Sequence, residues 1–339
     1  MSYPKCSIGL RWAVCLVLAV VGSASVAAPA GNLFAAEVPI SERTQDAQKA
    51  AMRQALAVVM VKVSGSRSIA RQANAQLILD DAQGFVQQYR YTPNNTLLVA
   101  FDGRKLQADM RTAGLPVWGA DRPATLVWLA IDRGDGERQL MSAADQGEIR
   151  TEIETLAAAR GIPLVWPLYD STDRAQVEVA DVWGGFTDNI VEASRRYGTE
   201  AVLVARMSQG ASGSLYGTWA LNLEGEADNW RGNFENSINR LADFYAQRLA
   251  VSAADGPATR VPMTISNLTS ATAYAEAINT VQKLSAVERI DVVQVMGDRV
   301  VLELSLRGDA NQVSRALGLS RSLRPDPDSA GTLAYRFGR

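Results

Sequence analysis

Three aspartates in the middle of the chain carry the side chains best suited to chemistry. Asp170 and Asp173 come soon after an apolar run that ends at Trp166, and Asp181 follows in the same connection. The carboxyl ends of strands in α/β sheets often bind ligands, and two carboxylates can share the acid–base work of glycoside hydrolysis. These residues are therefore candidates for a carboxylate-based hydrolase. The interpretation we favour is a polar surface loop, because closeness in sequence shows no catalytic geometry.

The composition excludes most other catalytic sites. The chain contains no His, and its two Cys, Cys6 and Cys15, lie in the amino-terminal segment. Without His there is no Ser-His-Asp triad and no common catalytic zinc geometry. Without Cys beyond that segment there is no thiol nucleophile and no iron–sulfur site. A phosphate-binding Gly-x-x-x-x-Gly-Lys loop is also missing, so the sequence predicts no cofactor and no metal.

Two aromatic residues are the candidate binding residues. Trp183 and Phe186 flank Gly184-Gly185 in the long connection that also holds the aspartates. Exposed aromatic side chains suit the binding of a peptide or a glycan. The alternative for Trp183 is packing over the sheet, because a Trp side chain gains free energy by burial.

The charge balance argues against a nucleic-acid partner. The chain has 34 basic and 36 acidic residues, with a formal net charge of -2. A nucleic-acid-binding domain normally concentrates basic residues on one face. Hydrophobic residues make up 47% of the chain, which is enough to build sizeable cores.

The amino-terminal segment has the pattern of an export signal. Lys5 and Arg11 precede an apolar run over residues 12–21, and small residues follow. This pattern predicts a signal peptide over residues 1–30, cleaved near residues 27–30. Cys15 lies inside the apolar run rather than at its end, which disfavours lipidation. No later apolar run approaches the ~18 residues of a membrane span, so we expect a periplasmic protein with no stable membrane anchor after cleavage.

Residues 31–120 form the first predicted module, which is of α+β type. A short strand comes first, and apolar residues then recur at helical spacing over residues 52–63. More helix is expected over residues 77–89. A strand is predicted over residues 96–101, after a Pro-Asn-Asn turn, and a last helix follows it.

Residues 121–255 form the second predicted module, which is of α/β type. Apolar runs over residues 125–131, 162–166 and 201–205 are separated by two amphipathic helices that each end at Gly. Strands that alternate with helices favour a parallel or mixed sheet with crossover connections. An alternating run over residues 215–223 predicts an added strand with one buried face, and a helix closes the module.

Residues 260–339 form the third predicted module. Strand and helix patterns follow in the order strand, helix, strand, strand, helix, strand, and Gly297-Asp298 between the two central strands is a hairpin signal. This βαββαβ order is ferredoxin-like. The predicted fold class is therefore a tandem array of small mixed-sheet modules of α/β and α+β type.

A set of short motifs runs along nearly all of the chain after the signal peptide. It comprises Glu37-Val38-Pro39-Ile40, Val63-Ser64-Gly65, Phe101-Asp102, Gly114-Leu115-Pro116-Val117-Trp118-Gly119, Arg122-Pro123, Val127-Trp128-Leu129-Ala130, Trp183-Gly184-Gly185-Phe186, Ala193-Ser194-Arg195-Arg196-Tyr197-Gly198 and Leu203-Val204-Ala205-Arg206. Together these motifs resemble an exported proteobacterial family known only as domain of unknown function 2066. That resemblance implies no assigned activity and no catalytic residues. The second module is also similar, in fold alone, to envelope modules of curli-export and cell-wall-synthase-activator lipoproteins.

The sequence therefore predicts an uncharacterised periplasmic accessory protein. We expect it to bind an envelope protein or a cell-wall glycan without catalysis, with Trp183 and Phe186 as binding residues. The alternative is an envelope hydrolase that uses Asp170, Asp173 or Asp181. A purely structural protein is a third class, in which changes at the two aromatic residues have no effect.

Overall fold

The computed structural model describes residues 32–119, 122–134, 136–223, 225–251, 259–307, 310–318, 320, 322–327 and 333–338. The predicted signal peptide, residues 1–30, lies outside the described residues. Three β-sheets and ten α-helices make up the described part of the chain, which confirms the predicted α/β and α+β fold class. Within that part, no helix is both long enough and apolar enough to cross a membrane.

The amino-terminal module is a three-stranded antiparallel sheet covered by helices. Its elements are β1 (Ala35–Pro39), α1 (Gln45–Ser64), α2 (Ala73–Asp80), β2 (Val86–Tyr91), β3 (Thr96–Phe101) and α3 (Gly103–Thr112). The strand order is β1–β3–β2. Fully buried side chains of α1, among them Leu56, Val59 and Val63, share one core with Leu97 and Val99 of β3. The apolar face of α1 is therefore matched by alternate residues of the central strand.

Local signals set both ends of α1. The Thr44 side chain accepts a hydrogen bond from the backbone N–H of Ala47, which satisfies one of the free donors of the first turn. Gly65 follows the helix with φ +71°, and its N–H donates to the Val61 carbonyl at 2.9 Å. Glycine adopts this left-handed conformation at little cost, so it is a common residue after a helix.

The prediction of helix over residues 77–89 is wrong beyond Phe85. Helix α2 ends at Asp80, a 3₁₀ turn spans Ala82–Phe85, and the next residues form strand β2. Most side chains of β2 are exposed, so its sequence carries little of the alternation that marks a half-buried strand. Its conformation is set by antiparallel pairing with β3, and the tertiary context therefore overrides the local pattern.

The central module has a six-stranded mixed sheet with helices on both faces. Its elements are β4 (Thr125–Asp132), β5 (Arg138–Leu140), α4 (Glu148–Arg160), β6 (Leu164–Val165), α5 (Ser171–Arg174), α6 (Val179–Gly184), α7 (Thr187–Ser194), β7 (Ala201–Gln209), β8 (Leu215–Leu223), β9 (Glu226–Gly232) and α8 (Phe234–Leu249). The strand order is β5–β4–β7–β8–β9, and β6 pairs with β4. Strands β6 and β7 both run parallel to β4, so the helical connections cross the sheet as expected.

Strand β4 lies at the centre of this module and supplies two separate cores. Val127, Leu129 and Ile131 share a core with residues of α4 and α8. The alternate residues, among them Leu126 and Trp128, share a second core with residues of α6 and α7. Burial on both faces explains why β4 is apolar at every position from Leu126 to Ile131 rather than at every second one.

The carboxy-terminal module contains the predicted βαββαβ order with one additional strand. Its elements are β10 (Thr259–Ser266), α9 (Ala271–Gln282), β11 (Val287–Met296), β12 (Arg299–Leu306), α10 (Ala310–Gly318), β13 (Leu323–Pro325) and β14 (Leu333–Phe337). The strand order is β11–β12–β10–β14–β13. The additional strand β13 pairs antiparallel with β14, and β14 pairs parallel with β10.

The amino-terminal and central modules meet at the carboxyl end of α1. Arg122 donates to the Lys62 carbonyl at 2.8 Å, and Arg160 donates to the Gly65 carbonyl at 2.8 Å. The Trp118 backbone N–H donates to the Val63 carbonyl at 2.6 Å. Carbonyls at the end of α1 that lack partners within the helix are therefore satisfied by groups that follow it by more than 50 residues, and guanidinium groups also suit the negative end of the helix dipole.

Candidate functional site

The connection between β6 and β7, residues 166–200, holds all five residues that the sequence singles out. Strands β6 and β7 lie on opposite sides of β4, so this connection passes over one face of the sheet. Helices α6 and α7 within it pack on that face through Val182, Ile190 and Ala193.

Arg196 brings Asp170 and Asp173 together. Its two terminal nitrogens contact the two carboxylate oxygens of Asp170 at 2.7 and 2.9 Å, and Nη1 also lies 2.9 Å from Oδ1 of Asp173. Asp170 precedes α5 and accepts hydrogen bonds from the backbone N–H groups of Thr172 and Asp173, at 3.0 Å each. Asp170 is therefore the cap of α5 as well as a partner of Arg196.

Asp173 is the buried member of the pair, with a side chain that is 0% exposed. Its Oδ2 accepts hydrogen bonds from the Tyr197 hydroxyl and from the Tyr169 backbone N–H, the latter at 2.8 Å. The Tyr197 hydroxyl in turn accepts from the Leu168 N–H at 2.7 Å. Tyr169 has φ +51°, a costly backbone conformation for a bulky residue. The Asp173 carboxylate helps to hold it there.

Asp170, Asp173, Arg196 and Tyr197 form what we call the carboxylate network. Hydrogen bonds from Arg196, followed by those from backbone N–H groups, hold the pKa of Asp170 well below its usual value. Burial, followed by the hydrogen bond to Asp173, raises the pKa of Tyr197. A hydrolytic general acid normally needs a carboxyl group with a raised pKa, and the shift at Asp170 has the opposite direction.

Asp181 lies outside this network. Its Oδ2 accepts from the Glu178 backbone N–H at 2.7 Å, in the capping box that starts α6. Among the described residues, no three acidic side chains cluster in a way that would hold a metal ion. The structure thus brings together two of the three aspartates and uses the third to begin a helix.

Trp183 and Phe186 lie on either side of a tight turn at the end of α6. Trp183 is half-buried, and the Arg138 guanidinium carbon lies 4.2 Å from the centre of its ring. Arg206 donates to the Trp183 carbonyl at 2.5 Å. Phe186 is 59% exposed. We call Arg138, Trp183 and Phe186 the aromatic surface.

Two glycines shape the aromatic surface. Gly185 has φ +74° and ends α6. A Cβ atom on Gly184 would lie 2.6 Å from the Phe186 ring, so the ring lies over a position that has no side chain. The turn therefore places an exposed ring beside a half-buried indole and a guanidinium. This combination suits contacts with aromatic, planar or sugar groups of a partner.

Sequence reasoning did not identify Arg138 and Arg206 as parts of this region. Arg138 belongs to β5, a three-residue strand that no periodicity indicates. Arg206 continues the apolar run of β7 and pairs with Ala130 of β4. A charged residue within an otherwise buried stretch, residues 201–207, was the available signal.

Comparison with protein families gives one partial match. Residues 27–119 are similar to a family described as a domain of unknown function, DUF8605. The matched segment takes in all the elements of the amino-terminal module and ends before the candidate site. The match supports a domain of unknown function there, and it does not support the family identity predicted from the motifs. No curated protein matches the chain.

Proposed function

We propose that this chain is an exported accessory protein that binds an envelope protein or a cell-wall component through its aromatic surface, without catalysis. The observation that carries the proposal is the exposed Phe186 ring beside Trp183. A large aromatic side chain that is exposed in the free protein gains the free energy of burial only when a partner covers its ring. Arg138 and Arg206 hold the neighbouring indole and the turn, so the surface is formed before a partner binds.

The envelope location and the family are part of the same proposal. The signal-peptide pattern of residues 1–30 supports export to the periplasm. The motifs along the chain support membership of the family known as domain of unknown function 2066. Mass spectrometry of the protein recovered from a periplasmic extract tests the location, and we expect the chain to begin within residues 28–31. Recovery in the cytoplasm with residues 1–30 intact would contradict export.

The hydrolase alternative is less well supported. Asp170 and Asp173 are taken up by hydrogen bonds from Arg196, Tyr197 and the backbone, and Asp181 caps α6. Each carboxylate thus has a role in holding the connection, and the lowered pKa of Asp170 opposes proton donation near neutral pH. We therefore assign the carboxylates to stability and the aromatic surface to binding.

Photo-crosslinking from the aromatic surface tests this assignment. Benzoylphenylalanine in place of Phe186 keeps an aromatic ring at the exposed position, and the same residue in place of Leu77 is the matched control. Leu77 is 75% exposed on α2, well outside the candidate site. From position 186 we expect a crosslink to a discrete protein in living cells, or a crosslink to isolated cell-wall sacculi. We expect neither crosslink from position 77.

A second variant separates binding from damage to the fold. Phe186→Ser removes the ring from an exposed position and is expected to abolish co-purification or co-sedimentation of the crosslinked partner. Leu77→Ser is expected to leave it unchanged. Equal crosslinking from both positions, or full retention of the partner by Phe186→Ser, would overturn the proposal.

A further inference from the structure

A cavity of about 430 Å³ lies on the sheet face of the amino-terminal module that α1 does not cover. Leu97 and Val99 of β3 face α1, so the alternate residues Leu98 and Ala100 face the opposite side. Ala35 of β1 pairs directly with Ala100, and these small side chains leave space above the sheet. The volume lies within the range of small-molecule sites.

Lys62 is one of the residues that line the cavity. It comes from the last turn of α1 and is only 8% exposed. Its Nζ donates to the Ala35 carbonyl at 2.8 Å. An ammonium group has three N–H donors, and this is the one acceptor that Lys62 contacts among the described residues.

No counter-ion balances Lys62 within the described part of the chain. Burial is the cause that lowers the pKa of Lys62, and no neighbouring acidic group raises it again. A buried cation without an anionic partner is costly, and the structure leaves two of its donors for a ligand. The cavity therefore offers a positive charge on a side chain that is mostly buried.

Glu37 also lines the cavity, but its carboxylate is hydrogen-bonded to other residues. Its Oε1 accepts hydrogen bonds from the hydroxyls of Thr92 and Thr96. These bonds, followed by the charge of Arg90, lower the pKa of Glu37. The carboxylate of Glu37 is thus held by two hydroxyls beside the exposed Arg90, whereas no described acidic side chain contacts Lys62.

We propose that this cavity binds a small aliphatic carboxylic acid. The carboxylate accepts hydrogen bonds from the two free donors of Lys62, and the hydrocarbon chain lies over Ala35, Leu98 and Ala100. A single cation matches one negative charge, whereas a doubly charged phosphate would leave one charge uncompensated in a half-enclosed site. The inference is independent of the aromatic surface, because it concerns another module.

Calorimetric titration of the full mature chain with sodium hexanoate tests the proposal. We expect hexanoate to bind, and we expect 1-hexanol, hexylamine and inorganic phosphate to bind much more weakly. Lys62→Met keeps an unbranched side chain without the charge and is expected to weaken hexanoate binding at least ~10-fold. Lys49→Met, at an exposed position on the same helix, is the matched control and is expected to change nothing.

A cavity-filling variant distinguishes loss of the binding site from loss of the fold. Ala100→Leu places a larger side chain on the cavity floor and leaves Lys62 and the core face of β3 intact. Loss of hexanoate binding in a variant that keeps the wild-type circular dichroism spectrum supports the site. Undetectable hexanoate binding to the wild-type protein, equal binding of hexylamine or phosphate, or unchanged binding by Ala100→Leu would each overturn it.

Discussion

The connection between β6 and β7 contains two neighbouring regions that differ in how far their side chains are buried and paired. In the carboxylate network, the buried Asp173 has hydrogen-bond partners on both oxygens. In the aromatic surface, the Phe186 ring is left 59% exposed. The first arrangement favours the folded chain by itself. The second leaves apolar area that only another molecule can cover.

The difference shows how to separate residues that hold the fold from residues that are available for function. A buried charge is costly unless it is paired, so a complete set of partners is what structural carboxylates require. An exposed aromatic ring contributes little to folding and has no such requirement. Four experiments can break or sharpen this comparison.

The largest effect is expected for Asp173→Ala. The change leaves the Tyr169 N–H and the Tyr197 hydroxyl without their acceptor and removes a buried partner of Arg196. We expect a loss of about 3 kcal/mol in the free energy of unfolding. All tryptophans described lie between Trp118 and Trp230. Urea unfolding followed by tryptophan fluorescence therefore reports on the central module. Asp188→Ala, at an exposed position of α7, is the control and should cost less than about 1 kcal/mol.

A smaller effect is expected for Tyr197→Phe. The variant keeps the ring and removes the hydroxyl that links the Leu168 N–H to Asp173. We expect a loss of about 1–2 kcal/mol in the same unfolding measurement. If Tyr197→Phe cost as much as Asp173→Ala, the hydroxyl rather than the carboxylate would be the centre of the network.

The third expected effect is a loss of stability at low pH. The pKa of Asp170 is lower in the folded chain than in the unfolded chain, where Asp titrates near ~3.9. The stabilisation from its ionised form is therefore complete above that value and is lost as the pH falls through and below it. Unfolding between pH 7 and pH 2 should show a steeper acid loss for the wild-type protein than for Asp170→Asn. Parallel curves would show that the Arg196 contact contributes nothing.

The smallest effect on stability is expected for Phe186→Ser. Because the ring is mostly exposed, we expect the free energy of unfolding to change by less than about 0.5 kcal/mol. Binding of the partner found by crosslinking should nevertheless be lost. A large loss of stability would move Phe186 to the structural side of the comparison.

Much of the fold could be predicted from local patterns. The unbroken apolar run that became β4 required burial on both faces, and the structure places a separate core on each face. The alternation in β8 and the hairpin turn at Gly297 were equally direct. By contrast, β2 and β5 had no local signature, since their conformation depends on the edges of β3 and β4 with which they pair.

The candidate site divides in the same way. The sequence singled out Asp170, Asp173 and Asp181 as equivalent aspartates, and the structure buries the second and uses the other two as helix caps. Arg196 comes from beyond α7, 26 residues after Asp170, to join the network. Nothing in the local pattern of either segment records that contact.

By itself, the sequence determined that the chain has no imidazole, that its two thiols lie within the first 15 residues, and that its modules combine helices with small β-sheets. Those facts follow from composition and from periodicity, which records the burial of single elements. The tertiary structure decided which charges are paired, which ring stays exposed and where Lys62 meets a cavity. These features depend on contacts between segments far apart in the chain. Such contacts produce no periodic pattern in the local sequence.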